Sequence, residues 1–128
     1  MYLDANQRPL PGGTALGFGP VHQGIVAYLN DGRQVILNTS LKRGKPAISW
    51  PAEFARDKVS LVRPVPRTWE ESNRIQQNAW NLVQAGAPWT IFNNCQDFVS
   101  LSVDGKPGSV TRKAVTAGAA LAVLLGLL

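Results

Sequence analysis

The sequence predicts an α+β domain: an antiparallel sheet carrying a cysteine-bearing helix, with an apolar helix at the C-terminus. Three observations predict it. The run Val21 to Leu29 is rich in β-formers, and the turn signal Asn30-Asp31-Gly32 separates it from Gln34-Val35-Ile36-Leu37-Asn38-Thr39, the pattern of a β-hairpin. Thr68 precedes a stretch in which Trp69, Ile75, Ala79, Leu82 and Val83 recur at roughly helical spacing. The only cysteine, Cys95, opens a second helical stretch behind Asn93 and Asn94, either of which is a good N-cap.

Taken in order, residues 1–20 read as an N-terminal loop segment, because Arg8-Pro9-Leu10-Pro11-Gly12-Gly13 mixes fixed and permissive backbone angles. They are expected to approach the fold rather than join its core. Residues 21–113 form the domain proper. In its first strand His22, Gly24, Val26 and Tyr28 share one face, and Gly24 is expected to leave open space beside the imidazole. Leu41 to Pro46 reads as a loop. Ser49 to Ala55 reads as a short helix entered through Ser49, with Pro51 near its first position. Val59 to Arg63 offers another strand, closed by Pro64 and Pro66. The Thr68 helix carries Glu71 three residues on, as in a capping box, and should end at Gly86 and Pro88.

Residues 114–128 are fifteen consecutive uncharged residues directly after Arg112-Lys113. As a helix they would reach roughly 22 Å, against a hydrocarbon core of about 30 Å. A shallow, re-entrant or buried helix fits that length better than a full span. A run with no polar face favours membrane association, and packing on the domain or on a partner is the alternative.

At 128 residues, with 45% apolar and 16% charged residues, the chain is expected to be one globular domain. The formal net charge of +5 suits an anionic partner, yet the basic residues are scattered from Arg8 to Lys113. No basic stripe with interleaved aromatics indicates nucleic-acid binding. One cysteine excludes an intrachain disulfide, and one Cys with one His makes no tetrahedral zinc cage, so neither metal nor cofactor is expected. A single thiol and an N-terminus without a basic-then-apolar signal lead us to expect an intracellular protein, held to a membrane by its tail.

The chemistry centres on Cys95. In the first turn of a helix, unpaired N–H groups and the dipole favour thiolate over thiol. A nucleophilic cysteine needs a partner for its proton, and His22 is the only histidine. Taken singly, a lone helical Cys is more often a small buried hydrophobe, and a lone strand His a structural residue. The Cys95 backbone N–H is the natural donor to an oxyanion.

In chain order, His22-Gln23-Gly24-Ile25, Asp31-Gly32, Val35-Ile36, Glu53-Phe54, the run Trp89 to Val99 and the apolar tail resemble the lecithin:retinol acyltransferase-like family. The resemblance covers about residues 20–128. Its most specific part is Asn94-Cys95-Gln96-Asp97-Phe98-Val99 together with the upstream His-x-Gly-Ile strand. It implies a circularly permuted papain-like fold related to the bacterial NlpC-type peptidases. It also implies acyl transfer through a Cys95 thioester with His22 as general base. The second histidine of many members is absent, since Val35-Ile36 is followed by Leu37. Asn38 takes its role as the residue orienting the imidazole, with a one-residue shift that would reverse its facing. Gln96 and Asp97 stand where the family has acidic or histidine residues.

The expectation is therefore a hydrolase or acyltransferase acting on an acyl-bearing substrate, lipid before peptide, with Cys95, His22 and Asn38 as catalytic residues. A peptidase or amidase on peptide, isopeptide or cell-wall bonds is the enzymatic alternative. A membrane-attached interaction module without catalysis is the other.

Overall fold

The computed structural model describes residues 1–18, 22–40, 42–55, 58–90 and 94–106. The chain runs β1 (Ala15–Phe18), β2 (His22–Tyr28), β3 (Gln34–Ser40), β4 (Lys45–Ser49), α1 (Pro51–Phe54), β5 (Ser60–Leu61), α2 (Trp69–Ala85) and α3 (Cys95–Asp104). The strands form one antiparallel sheet in the order β4-β3-β2-β1-β5. The expected hairpin is β2–β3. Its turn is closed by Gly32 N–H to the Leu29 carbonyl at 2.9 Å, with Gly32 at φ 87°, and the register runs Tyr28↔Gln34 to Ile25↔Leu37.

Period-two alternation divides the sheet into two apolar faces. Ile25, Ala27, Val35 and Leu37 pack with Ile75 and Ala79 of α2 and with Phe98 and Val99 of α3. Val26 and Ile36 point the other way, against Leu10, Leu16, Phe54 and Ala55. A sheet buried on both sides explains why β2 and β3 lack a polar alternation.

β1 and the start of β4 lie in stretches whose sequence reads as loop. β1 forms because residues before it are stitched to β2: Gly13 N–H donates to the Val26 carbonyl at 2.7 Å, and Val26 N–H to the Thr14 carbonyl at 2.8 Å. Leu10, Ala15 and Leu16 are consequently buried, so this segment belongs to the core and is not merely an approach to it. β4 forms despite Pro46 because it is an edge strand, where a missing N–H is tolerated. β5 is shorter than the expected strand, two residues paired to β1.

The helices follow their sequence signals closely. Thr68 Oγ1 accepts from Glu71 N–H at 3.1 Å, while Glu71 Oε2 accepts from Arg67 N–H at 3.2 Å. The reciprocal half of the box thus falls one residue upstream of the cap. Gly86, at φ 68°, closes α2 by donating to the Leu82 carbonyl at 3.1 Å. Trp69, expected on the apolar face, is largely exposed in the first turn, ahead of the buried Ile75 and Ala79. In α1 the cap is Trp50 rather than Ser49, because Ser49 is drawn into β4; Pro51 is the first helical residue and Glu53 Oε1 accepts from Trp50 N–H at 3.0 Å. Among the described residues no helix is long and apolar enough to cross a membrane; the tail at 114–128, Val21 and Asn93 lie outside them.

Candidate active site

α3 begins with a built cap. Asn94 is extended, and its Oδ1 accepts from Gln96 N–H at 3.0 Å and Asp97 N–H at 3.2 Å, while Asp97 Oδ2 accepts from Asn94 N–H at 3.3 Å. Asp97 is fully buried in this reciprocal arrangement, so the residue after Gln96 serves the helix start. The cap fixes Cys95 as the first helical residue, as its sequence context predicts.

The state of the sulfur differs from the expectation. Cys95 is 7% exposed, and burial pushes its thiol up from the ordinary value of 9.0. The backbone N–H groups of Gln23, Cys95 and Gln96 pull the other way, and the charge of Asp97 adds to the rise. The helix terminus therefore acts as predicted but is outweighed by desolvation. At neutral pH the resting group is a thiol.

His22 begins β2 and its ring lies on the Val26 face, stacked on Phe54 with centroids 4.4 Å apart and planes 29° apart. Burial holds the imidazole below its ordinary value of 6.5, against the raising effect of a ring N–H bond to the Phe54 carbonyl. The ring is thus neutral and able to accept a proton. The expected open space beside it is absent. A Cβ on Gly24 would lie 2.6 Å from Ile36 Cγ2 and 2.9 Å from Phe54 Cε1, so the glycine exists to let those two side chains close over the strand.

Asn38 is buried on β3, where Nδ2 donates to the Ile36 carbonyl at 3.3 Å and to Ser49 Oγ at 3.2 Å. It lies in step with Ile36, on the face that carries His22, so the feared reversal does not arise. His22 and Asn38 line one pocket of about 240 Å³, with Ser40, Ser49, Lys42 and Arg43 around them. Cys95 is not part of that lining. α3 packs on the opposite face of the sheet, and the two sides meet at the β2 backbone, where Gln23 N–H addresses the sulfur.

Three contributors escaped sequence reasoning. Phe54 reads in the sequence as part of a short helix and of the Glu53-Phe54 pair in the resemblance, neither of which places it against His22, and the role of the Gln23 N–H has no sequence signal. Ser49 was readable as a cap, and only its pairing in β4 turns it toward Asn38. Among the described residues no cluster of His, Cys, Asp and Glu could hold a metal ion. Comparison with protein-family models, with curated proteins and with solved structures finds no match to this chain.

Proposed function

We propose that the chain is a cysteine-dependent acyl-transfer enzyme of circularly permuted papain-like architecture, with Cys95 as nucleophile and His22 as base. The observation that carries this reading is the convergence of backbone N–H groups from β2 and α3, those of Gln23, Cys95 and Gln96, on one sulfur at a capped helix start. Donors gathered around a nucleophile are what a developing acyl oxyanion requires. The order of a histidine strand before a cysteine helix, on an antiparallel sheet, supports the same reading.

In the reaction Sγ attacks the acyl carbonyl carbon. The S–C bond forms, the bond to the leaving alcohol or amine breaks, and the thiol proton passes to His22 and on to the leaving group. Water, an alcohol or an amine then resolves the thioester and restores the thiol. Because the resting pair is neutral, proton transfer accompanies attack, and the imidazole must turn from Phe54 toward the Gln23 end of β2. Asn38 holds the floor of the His22 pocket in this scheme. The acyl group is carried by a lipid in preference to a peptide, and the apolar tail brings the site to a membrane inside the cell.

The test is acylation by p-nitrophenyl octanoate, read by intact mass and peptide mapping. One octanoyl group on Cys95, and a loss of rate of about a hundredfold in His22→Ala, are expected. Equal acylation of Cys95→Ala would refute the nucleophile. A second reading, a membrane-attached binding module that does not use the thiol, is favoured by the burial of Cys95 and by the Phe54 stack. Under it the wild type gains no acyl group.

A further inference from the structure

The pocket on the His22 side of the sheet carries an excess of positive charge, beside the acceptor nitrogen of the neutral His22 ring. Arg43 is committed: Nη1 donates to the Ile48 carbonyl at 2.9 Å and Nη2 to Glu53 Oε2 at 3.1 Å. Glu53 is committed too, since its other oxygen accepts from Trp50 N–H at 3.0 Å. That ion pair is locally neutral. Lys42 lines the same pocket and, among the described residues, has no ion-pair partner.

Two hydroxyls share the pocket with that charge. Ser49 Oγ accepts from Asn38 Nδ2 at 3.2 Å, and Ser40 Oγ accepts from Arg43 N–H at 3.3 Å. Each oxygen is held as an acceptor, which leaves its own O–H to be donated. Ser49 is more than nine-tenths buried, so this donor is built into the wall rather than displayed on the surface. The pocket thus holds one uncompensated positive charge and two hydroxyls able to donate.

We propose that this pocket binds a singly charged oxyanion, a carboxylate or a phosphodiester, with Lys42 supplying the charge and Ser40 and Ser49 the hydrogen bonds. A dianion is disfavoured because the Glu53 carboxylate lines the same space. About 240 Å³ accommodates a group of this size together with water. The inference goes beyond the acyl-transfer reading, because nothing in it requires Cys95 to react.

The experiment is an NMR titration of the full chain with sodium acetate and, separately, with dimethyl phosphate, against sodium chloride at equal ionic strength. Saturable shifts at Ser40, Ser49 and the His22 ring are expected with at least one of the two. Lys42→Gln should weaken that binding about tenfold or more, the loss of one charge-assisted bond. Lys42 is exposed, so this variant should fold normally. Saturation by acetate alone assigns a carboxylate and by dimethyl phosphate alone a phosphodiester, and either supports the site. Shifts linear in concentration and matched by chloride would overturn it, as would binding to Lys42→Gln as tight as to the wild type. Cys95→Ser should bind unchanged, so an unreactive thiol would leave the oxyanion site standing.

Discussion

Replacing Asn94 by alanine tests whether the α3 cap holds the candidate site together. The side chain satisfies two helix-start N–H groups, at 3.0 and 3.2 Å, and is 5% exposed, so water does not readily take its place. Loss of a cap costs about 1 kcal/mol, and a buried donor left unpaired adds about 1–2 kcal/mol, giving roughly 2–3 kcal/mol. At about 4 °C per kcal/mol for a domain of this size, Tm should fall by about 8–12 °C. Asn94→Asp keeps an acceptor of equal capping strength but sets a second carboxylate beside the buried Asp97, so it should be destabilising without loss of the cap bonds. Thermal unfolding followed by circular dichroism gives the first number. Iodoacetamide labelling gives the second, because fraying of the first turn should expose Cys95 and speed its modification. A Tm within about 2 °C of wild type, with unchanged labelling, would refute the claim that this cap positions the sulfur.

Gly24→Ala should destabilise by about 1–3 kcal/mol in urea unfolding, since the new methyl meets Ile36, Phe54 and the Leu37 carbonyl at 2.6, 2.9 and 3.1 Å. Phe54→Leu should raise the His22 pKa toward 6.5 by removing the stacked ring that helps to bury it, as read from the ring-proton NMR titration; an unmoved titration would assign the burial elsewhere. For His22 in the wild type the folded value lies below the unfolded one, so the unfolded chain binds more protons between them and stability should fall as pH drops through 6.5. For Cys95 the folded value lies above the unfolded one, so stability should fall as pH rises past 9.0, a loss that Cys95→Ala abolishes in urea melts. Deleting 114–128 should release the protein from phospholipid vesicles in flotation; continued binding would move the membrane contact to another surface.

Local signals with a short reach were legible. The Asn30-Asp31-Gly32 turn, the Thr68 and Asn94 caps and the Gly86 stop each act over three or four residues, and each defines its element. β1 and β4 were not legible because they are made by partners: the backbone of Val26 for the segment entering β1, and the open edge of β3 for Lys45–Ser49. Asn38 shows the same division. Alternation from Ile36 puts it on the His22 face, yet that face is defined only once the turn fixes Ile25 opposite Leu37.

The sulfur shows why the candidate site is harder to read than its helix. That Cys95 begins a helix follows from neighbours in sequence, and the dipole there is worth about 0.3–1 kcal/mol in favour of a negative charge. What opposes it is burial of the sulfur where α3 meets β2, a contact between residues some seventy positions apart, and the effective penalty for an ion leaving water is several kcal/mol. Three N–H groups recover part of that penalty and the nearby Asp97 charge adds to it, so the thiol wins over the thiolate. An acyl oxyanion formed on entry of substrate would meet those same N–H groups without requiring a charged sulfur beforehand. A neutral resting thiol is thus compatible with turnover only if His22 takes the proton during attack. The rate should then follow the ionisation of His22, rising with pH through its lowered pKa and levelling above it. A rate that instead rises only as the thiol itself ionises, above 9.0, would remove His22 from the proton path.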